Sequence, residues 1–281
     1  MRIIEPSTEI IEQNPGLEGL YKHIELCGRT CYKSEDKITE DSAKKFVDTL
    51  IKSGHGSVLE HGTVYLAIPM TTYAPDAVNI YRDNAYSKVN DCNEFIFTDK
   101  YGNKVAAWCV TTNLRVLVEN DCLEDLEFLC EPTEYHEKRI TVKFICSRSI
   151  SHELVRHRIF SFSQESQRYC AYNKDKFGGE VTFIKPIWYE QKEDIDTSNY
   201  PDYGYSLLYA ENRYLDLLEQ GLKAQEAREV LPNSTKTEVI MTGFTSDWLY
   251  FFKLRTDKAA HPEMRKLTIP LEKEFKKKGL L

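Results

Sequence analysis

Along the first seventy residues the apolar positions change period twice. Ile3-Ile4 and Ile10-Ile11 make short apolar runs that read as an edge strand. After Asn14-Pro15, which reads as an N-cap followed by proline at the first helical position, Leu17, Leu20, Tyr21, Ile24 and Cys27 recur at helical spacing. A second helix is expected from about residue 39, with Ala43, Phe46, Val47 and Leu50 inward and Gly54 as its stop. A strand follows over residues 63–68. The segment between them, His55-Gly56-Ser57-Val58-Leu59-Glu60-His61, reads as a helix-to-strand loop with two ordinary loop histidines, or as a polar turn aimed at a ligand.

The middle of the chain, about 71–139, carries Tyr73, Tyr81, Tyr86, Asn90 and Asp91 in irregular order. A hairpin over 94–98 and 105–110 follows, then helices over 112–120 and 122–130. This stretch reads as a decorative or oligomer-contact lobe. A β-branched strand at 140–146 leads to a helical pattern at 150–157 with Ile150, Leu154 and Val155 inward. Residues 181–188 look extended, and 190–203 are polar and exposed. An amphipathic helix over 205–220 places Leu207, Leu208, Leu215 and Leu218 on one face and stops at Gly221. A short helix at 224–230 ends before Pro232. Strand 237–244 then precedes an aromatic helix at 247–256, capped by Thr245 or Ser246, whose stripe reads more simply as core than as a cofactor box. Pro262 opens the last helix, residues 262–277. No repeats or low-complexity linkers appear, so the expectation is one elaborated α/β (α+β) domain over 1–281, with a central, mostly antiparallel sheet flanked by helices.

Composition narrows the function. The formal net charge of -7 over 281 residues argues against binding a nucleic-acid polymer, whose affinity rests on neutralising phosphates. The 8 cysteines show no Cys-x-x-Cys and no His/Cys pairing at zinc spacing, so no metal is expected. The N-terminus lacks the apolar core of a signal peptide and no apolar run has membrane-spanning length. The expectation is a cytoplasmic protein with reduced thiols.

Against that acidic background Arg156-His157-Arg158-Ile159-Phe160-Ser161-Phe162-Ser163-Gln164-Glu165-Ser166-Gln167-Arg168 stands out. Its cations are all arginine, whose planar fork suits phosphate and carboxylate, and its hydroxyls and amides can add neutral hydrogen bonds. The plainer reading is that Arg156 and Arg158 complement a helix dipole.

Arg156-His157-Arg158, seven residues, then Ser166, continued by Arg168-Tyr169, resembles the signature of the flavin-dependent thymidylate synthases. Gly54-His55-Gly56-Ser57-Val58-Leu59-Glu60-His61 before it resembles the family too, as do Glu226-Ala227-Arg228-Glu229-Val230-Leu231-Pro232 and Leu254-Arg255 after it. The likeness covers roughly 1–70 and 140–270; the stretch 71–139 is an atypical insertion. It implies reductive methylation of deoxyuridylate (dUMP) to thymidylate (dTMP), with methylenetetrahydrofolate as one-carbon donor. FAD, tightly bound and reduced by NADPH, would carry the hydride. It implies a homotetramer whose sites are shared between subunits. It implies dUMP bound by Glu153, Arg156, Gln164, Glu165, Ser166, Gln167, Arg168, Arg228 and Arg255, with Arg255 also the catalytic group that stabilises enolate charge on the uracil. It implies FAD held by His55, Ser57, Glu60, Arg156, His157, Arg158, Gln164, Phe244, Thr245, Ser246 and Tyr250. Phe244 and Ser246 stand where the family commonly has Asn and Arg, Ala259 where His is frequent, and Glu153 where Gln is frequent. Two other readings are a non-enzymatic nucleotide- or RNA-binding module built on the arginine cluster, and the same fold without activity.

Overall fold

The computed structural model describes residues 1–70, 75–99, 101–174, 177–189 and 201–281. Tyr73 and most of the polar stretch expected at 190–203 lie outside them. In chain order the elements are β1 (Arg2–Ile4), β2 (Ser7–Ile11), α1 (Gly16–Tyr32), α2 (Ser42–Ser53), α3 (Gly56–Leu59) and β3 (Thr63–Pro69). Next come α4 (Asn79–Arg82), β4 (Lys88–Thr98), β5 (Lys104–Asn113), α5 (Leu114–Glu119), β6 (Arg139–Ser147) and α6 (Arg148–Leu154). The remainder are β7 (Ser161–Gln164), β8 (Thr182–Ile184), α7 (Pro201–Glu219), α8 (Ala224–Ala227), β9 (Lys236–Phe244), α9 (Thr245–Arg255) and α10 (Pro262–Lys277).

The strands are antiparallel in a four-stranded sheet, β2-β6-β9-β7, and in a three-stranded sheet, β3-β5-β4; β1 and β8 form a short parallel pair. One face of the four-stranded sheet carries Phe144 and Met241 against Trp248, Phe251 and Phe252 of α9 and Phe275 of α10, all buried. Each such aromatic, taken out of water, stabilises the fold by about 2–3 kcal/mol. Trp248 Nε1 donates to Ile140 O at 3.1 Å, so the indole is satisfied inside this core. The aromatic stripe of α9 is therefore mostly core, while Leu249 and Tyr250 point out and are exposed.

The opposite face of the same sheet is polar. Thr141, Thr242, Ser161 and Ser163 point from β6, β9 and β7 toward α1 and α3, and all four are buried. Strand β7 escaped the sequence reading for this reason: its inward residues are serines, so alternation runs polar-inside.

The lobe expected to be decorative is part of the fold. Strand β5 pairs along the length of β3, Leu66 opposite Val110 and Ile68 opposite Trp108. Together with Tyr81, Leu114, Val116 and Leu117 it closes one core with α1 and α2. Its apolar residues are needed to cover β3.

Smaller differences have local causes. Pro15 is the extended N-cap of α1 rather than its first helical residue, and Asn14 makes no cap bond. Helix α9 is capped neither by Thr245 nor by Ser246; the Asp247 carboxylate accepts from the Phe244 N–H at 3.1 Å, and Phe244 is the N-cap. Helix α6 starts two residues early because the Ser147 hydroxyl accepts the Ile150 N–H at 3.3 Å, and it ends at Leu154, leaving Val155 exposed. Leu208 is likewise exposed while Leu207 is buried. The residues 122–130 form a 3-10 turn over Leu123–Phe128 instead of an α-helix.

Candidate active site

Helix α6 ends at Leu154, two residues before the arginine motif, and Phe160 anchors the turn that follows in the aromatic core. The chain then enters β7, paired with β9 from Ser161 opposite Thr242 to Gln164 opposite Val239. Arg156 and Arg158 are thereby left on the surface. Their side chains make no hydrogen bond or ion pair to any described residue. Beside them a recess of about 320 Å³ is lined by Arg156, His157, Arg158, Asp247, Tyr250 and Arg255, with Ile159, Phe160 and Leu254 as its apolar wall.

Arg255 is the most constrained group there. Its Nη1 donates to the Glu153 carboxylate at 2.7 Å, its Nη2 to the Glu153 backbone O at 3.0 Å, and its Nε to His157 Nε2 at 2.9 Å. Three of the five guanidinium N–H groups are used, which leaves one on each terminal nitrogen for a ligand. Because Arg can only donate, His157 Nε2 must accept, and the ring proton sits on Nδ1. Burial, with Arg255 adding to it, lowers the His157 pKa to about 4, so the ring is neutral around pH 7.

The other half of the motif is held elsewhere. The Glu165 N–H donates to Glu238 O at 2.8 Å and the Ser166 N–H to Cys31 O at 2.9 Å, clamping the loop between β9 and the end of α1. The Glu165 carboxylate is buried and pairs with Lys236 Nζ at 2.8 Å; Lys236 also reaches Glu238 at 2.5 Å, and Lys33 reaches Glu238 at 2.7 Å. Glu238 is pulled down to about 2 by these two cations, against the opposing effect of burial. Glu165, Lys33 and Lys236 line a cavity of about 270 Å³ with Arg2 and Tyr172.

Several expected ligand contacts find other partners. Glu60 forms an ion pair with Arg115, and its carbonyl accepts from Arg139 at 2.9 Å. Phe244 is buried beneath Lys88 and Arg139, each 5.5 Å from its ring, so its side chain is part of the packing and not open to a cofactor. The Thr245 hydroxyl and the Ser246 N–H both meet Glu137, at 3.5 Å and 2.9 Å. Gln164 Nε2 donates to Ser151 and Thr237 hydroxyls at 3.0 Å and 3.2 Å. Gln167 is buried, with its amide nitrogen unpartnered. The Ser166 hydroxyl accepts the Arg168 N–H at 3.3 Å, and the Arg168 side chain lies over Tyr169 at the surface. His55 and Ser57 are exposed. Arg228 is half-buried, 3.6 Å from Glu229, and lines neither recess. Within one chain the expected set therefore splits, with Arg156, His157, Arg158, Tyr250 and Arg255 in one place and Glu165 in another.

Three charged or titratable side chains were not singled out from the sequence. Arg148, at the start of α6, is half-buried with no hydrogen-bond or ion-pair partner for its guanidinium among the described residues. Burial lowers its pKa, and Arg228 lies close enough to add to that. Lys236 holds Glu165, and His61 lies at the centre of a buried polar network; only pairing across strands reveals either. The cysteines are quiet. Cys130 sits 3.8 Å from His136 Nε2, but that nitrogen donates to Leu66 O at 3.1 Å and cannot act as its base, and burial pushes the thiol up to about 12. No cluster of described residues has the make-up of a metal site, and no described helix is long and apolar enough to cross a membrane.

Comparison with known proteins gives the family. The family described as thymidylate synthase complementing protein matches residues 11–74 and 133–278. A flavin-dependent thymidylate synthase of Geobacter sulfurreducens is 33% identical over 125 residues, covering 44% of this chain and 50% of that protein. One from Mycobacterium tuberculosis is 36% identical over 134 residues, 44% of this chain and 51% of that protein. One from Pyrococcus abyssi is 29% identical over 133 residues, 47% and 52%. The chain thus spans about half the length of the curated relatives it matches. Among solved structures, a UMP/dUMP methylase from Streptomyces cacaoi with 5-Br dUMP bound aligns over 99% of this chain and 93% of its own, at 17% identity and a TM-score of 0.46.

Proposed function

Because this chain belongs to the thymidylate synthase complementing protein family, we propose that it is a flavin-dependent enzyme that methylates dUMP to dTMP. The observation that carries the reading is Arg255, held by Glu153 and His157 with two N–H groups to spare, beside two arginines whose side chains are unpaired among the described residues. A uracil must gain electron density at C5 before it accepts a one-carbon unit. An arginine facing the N3/O4 edge and donating to O4 stabilises the enolate charge that develops, without a covalent nucleophile.

The donor set suits FAD. Arg156 and Arg158 offer free cationic forks for a pyrophosphate, and Ile159, Tyr250 and Leu254 offer apolar surface for a ring. His55 and Ser57 are exposed and would join them. When bound, reduced flavin supplies the hydride that completes the methyl group, with methylenetetrahydrofolate as carbon donor and NADPH as reductant. Glu153 and His157 orient Arg255, and Ser166, Arg168 and Arg228 hold the nucleotide phosphate, with Arg148 beside Arg228 as a further cation.

The split of these residues within one chain supports a homotetramer in which one subunit's Arg228 side meets another's Arg255 side. Val155, Ile159, Leu249, Tyr250 and Leu254 are exposed around Arg255 and would be covered by such a contact.

The test is the visible spectrum of the purified protein after FAD is added and free flavin removed, with and without dUMP, followed by dTMP formation from methylenetetrahydrofolate and NADPH. A retained flavin band that shifts with dUMP, and dTMP product, are expected. A colourless protein that still binds dUMP would leave a plain nucleotide-binding module as the better reading.

A further inference from the structure

The side chain of His61 touches two of the three segments from which the proposed site is built, and its backbone belongs to the third. It ends the 54–61 segment that carries Ser57 and Glu60. Its Nδ1 lies 2.8 Å from Thr242 Oγ1 on β9, the strand that leads into α9 and Arg255. Its Nε2 lies 3.0 Å from Ser163 Oγ on β7, in the middle of the arginine motif. The residue is fully buried, so neither nitrogen is open to a ligand.

The surroundings make these contacts strict. A neutral imidazole has one donor and one acceptor, so one hydroxyl must donate to the ring while the other accepts from it. Thr242 Oγ1 is tied in turn to Thr141 Oγ1 at 2.8 Å, and Thr141 to His23 Nε2 at 3.0 Å. Arg139 makes a second bridge across the same junction, from Glu60 O at 2.9 Å to Ser161 Oγ at 3.2 Å. Burial and the Arg139 cation both disfavour a charged ring at His61, so the network keeps its donor and acceptor pattern at neutral pH. A side chain that satisfies only one of the two hydroxyls would leave a hydrogen-bonding position on the other unfilled in a dry interior, a cost that the single remaining bond does not offset.

We propose that His61 is a positioning residue that fixes the 54–61 segment against strand β7, and through β7 sets the Glu165–Arg168 loop relative to that segment. The inference rests on the functional reading above only for what is positioned, namely a flavin side and a nucleotide side of one site.

Two isosteric replacements separate the contacts. In His61→Asn the amide can reach the Nδ1 position and Thr242 but falls short of Ser163; in His61→Gln it can reach the Nε2 position and Ser163. The affinity of the FAD-loaded protein for dUMP, by calorimetry, is read beside the thermal midpoint and the flavin retained. His61→Asn is expected to weaken dUMP binding by about tenfold, while His61→Gln stays within about twofold of the original chain. Ser163→Ala, which leaves the imidazole in place, is expected to reproduce the loss, and it carries the test by itself should His61→Asn fail to fold. Wild-type affinity in both His61→Asn and Ser163→Ala would overturn the inference, as would equal losses in the Asn and Gln variants. Failure of the unaltered protein to bind dUMP would instead sink the functional reading on which the inference rests.

Discussion

Arg255 Nε donates to His157 Nε2 at 2.9 Å, and this one hydrogen bond sets both the tautomer of the histidine and the direction of the guanidinium. His157 is held in turn by its edge-on contact with Phe251, ring centres 4.9 Å apart. Arg255→Ala is expected to leave FAD bound and to abolish dTMP formation. Arg255→Lys keeps the charge but cannot hold Glu153 and His157 together, so a loss of at least about a hundredfold in kcat is expected. Undiminished turnover in the alanine variant would remove Arg255 from the mechanism.

His157→Phe keeps the packing on Phe251 and frees Arg255 Nε. Turnover should fall while the thermal midpoint changes little, because the half-buried ring contributes orientation more than stability. A variant with normal kcat would show that Glu153 suffices to aim the guanidinium.

Acid should unfold this protein early. His23 and His61 are depressed from 6.5 to about 4 and about 3, chiefly by burial, and His157 shifts in the same direction. Below about pH 6.5 the unfolded chain takes up protons that the folded chain refuses until near pH 4. Stability therefore falls as pH falls, by about 3 kcal/mol per pH unit for the two most buried rings together. Glu238, lowered to about 2, adds a loss in the same direction as pH falls below 4.5. Urea midpoints at pH 7 and pH 5 measure this, and equal midpoints would contradict it.

Lys236→Met should cost about 3–5 kcal/mol, since it leaves the buried Glu165 and the mostly buried Glu238 without the cation they share. A urea titration that moves by less than 1 kcal/mol would mean that Lys33 or water takes over.

Arg156→Ala and Arg158→Ala should each change stability by no more than about 0.5 kcal/mol, because neither side chain has a partner among the described residues. Both should lower the FAD retained after free flavin is removed. If flavin stays while stability drops, the plainer reading of these arginines as helix-dipole partners would gain.

Much of the local structure was legible along the chain. Helical spacing marked α1, α2 and α7, Gly54 stopped α2 in the left-handed region at φ 69°, and Pro262 opened α10. These are decisions of backbone sterics and of one apolar face, made within a few residues. Strand β7 and the fate of residues 71–139 were not legible, because both depend on a partner far along the chain. Serines at Ser161 and Ser163 read as loop until β9 and His61 are placed beside them, and β5 reads as a detached hairpin until β3 pairs with it.

The site divides the same way. By itself the sequence determined which residue types are present and in what order: an arginine fork at Arg156 and Arg158, hydroxyls after it, and Arg255 near the end of an aromatic helix. Only the tertiary structure decided which of them are free to act. It committed Glu60 to Arg115, sank Phe244 and Glu165, left Arg156 and Arg158 unpaired among the described residues, and brought Glu153 and His157 onto Arg255. The reason is that a side chain's availability depends on who satisfies its charge and hydrogen bonds, and in this fold those partners come from segments 55 to 102 residues apart.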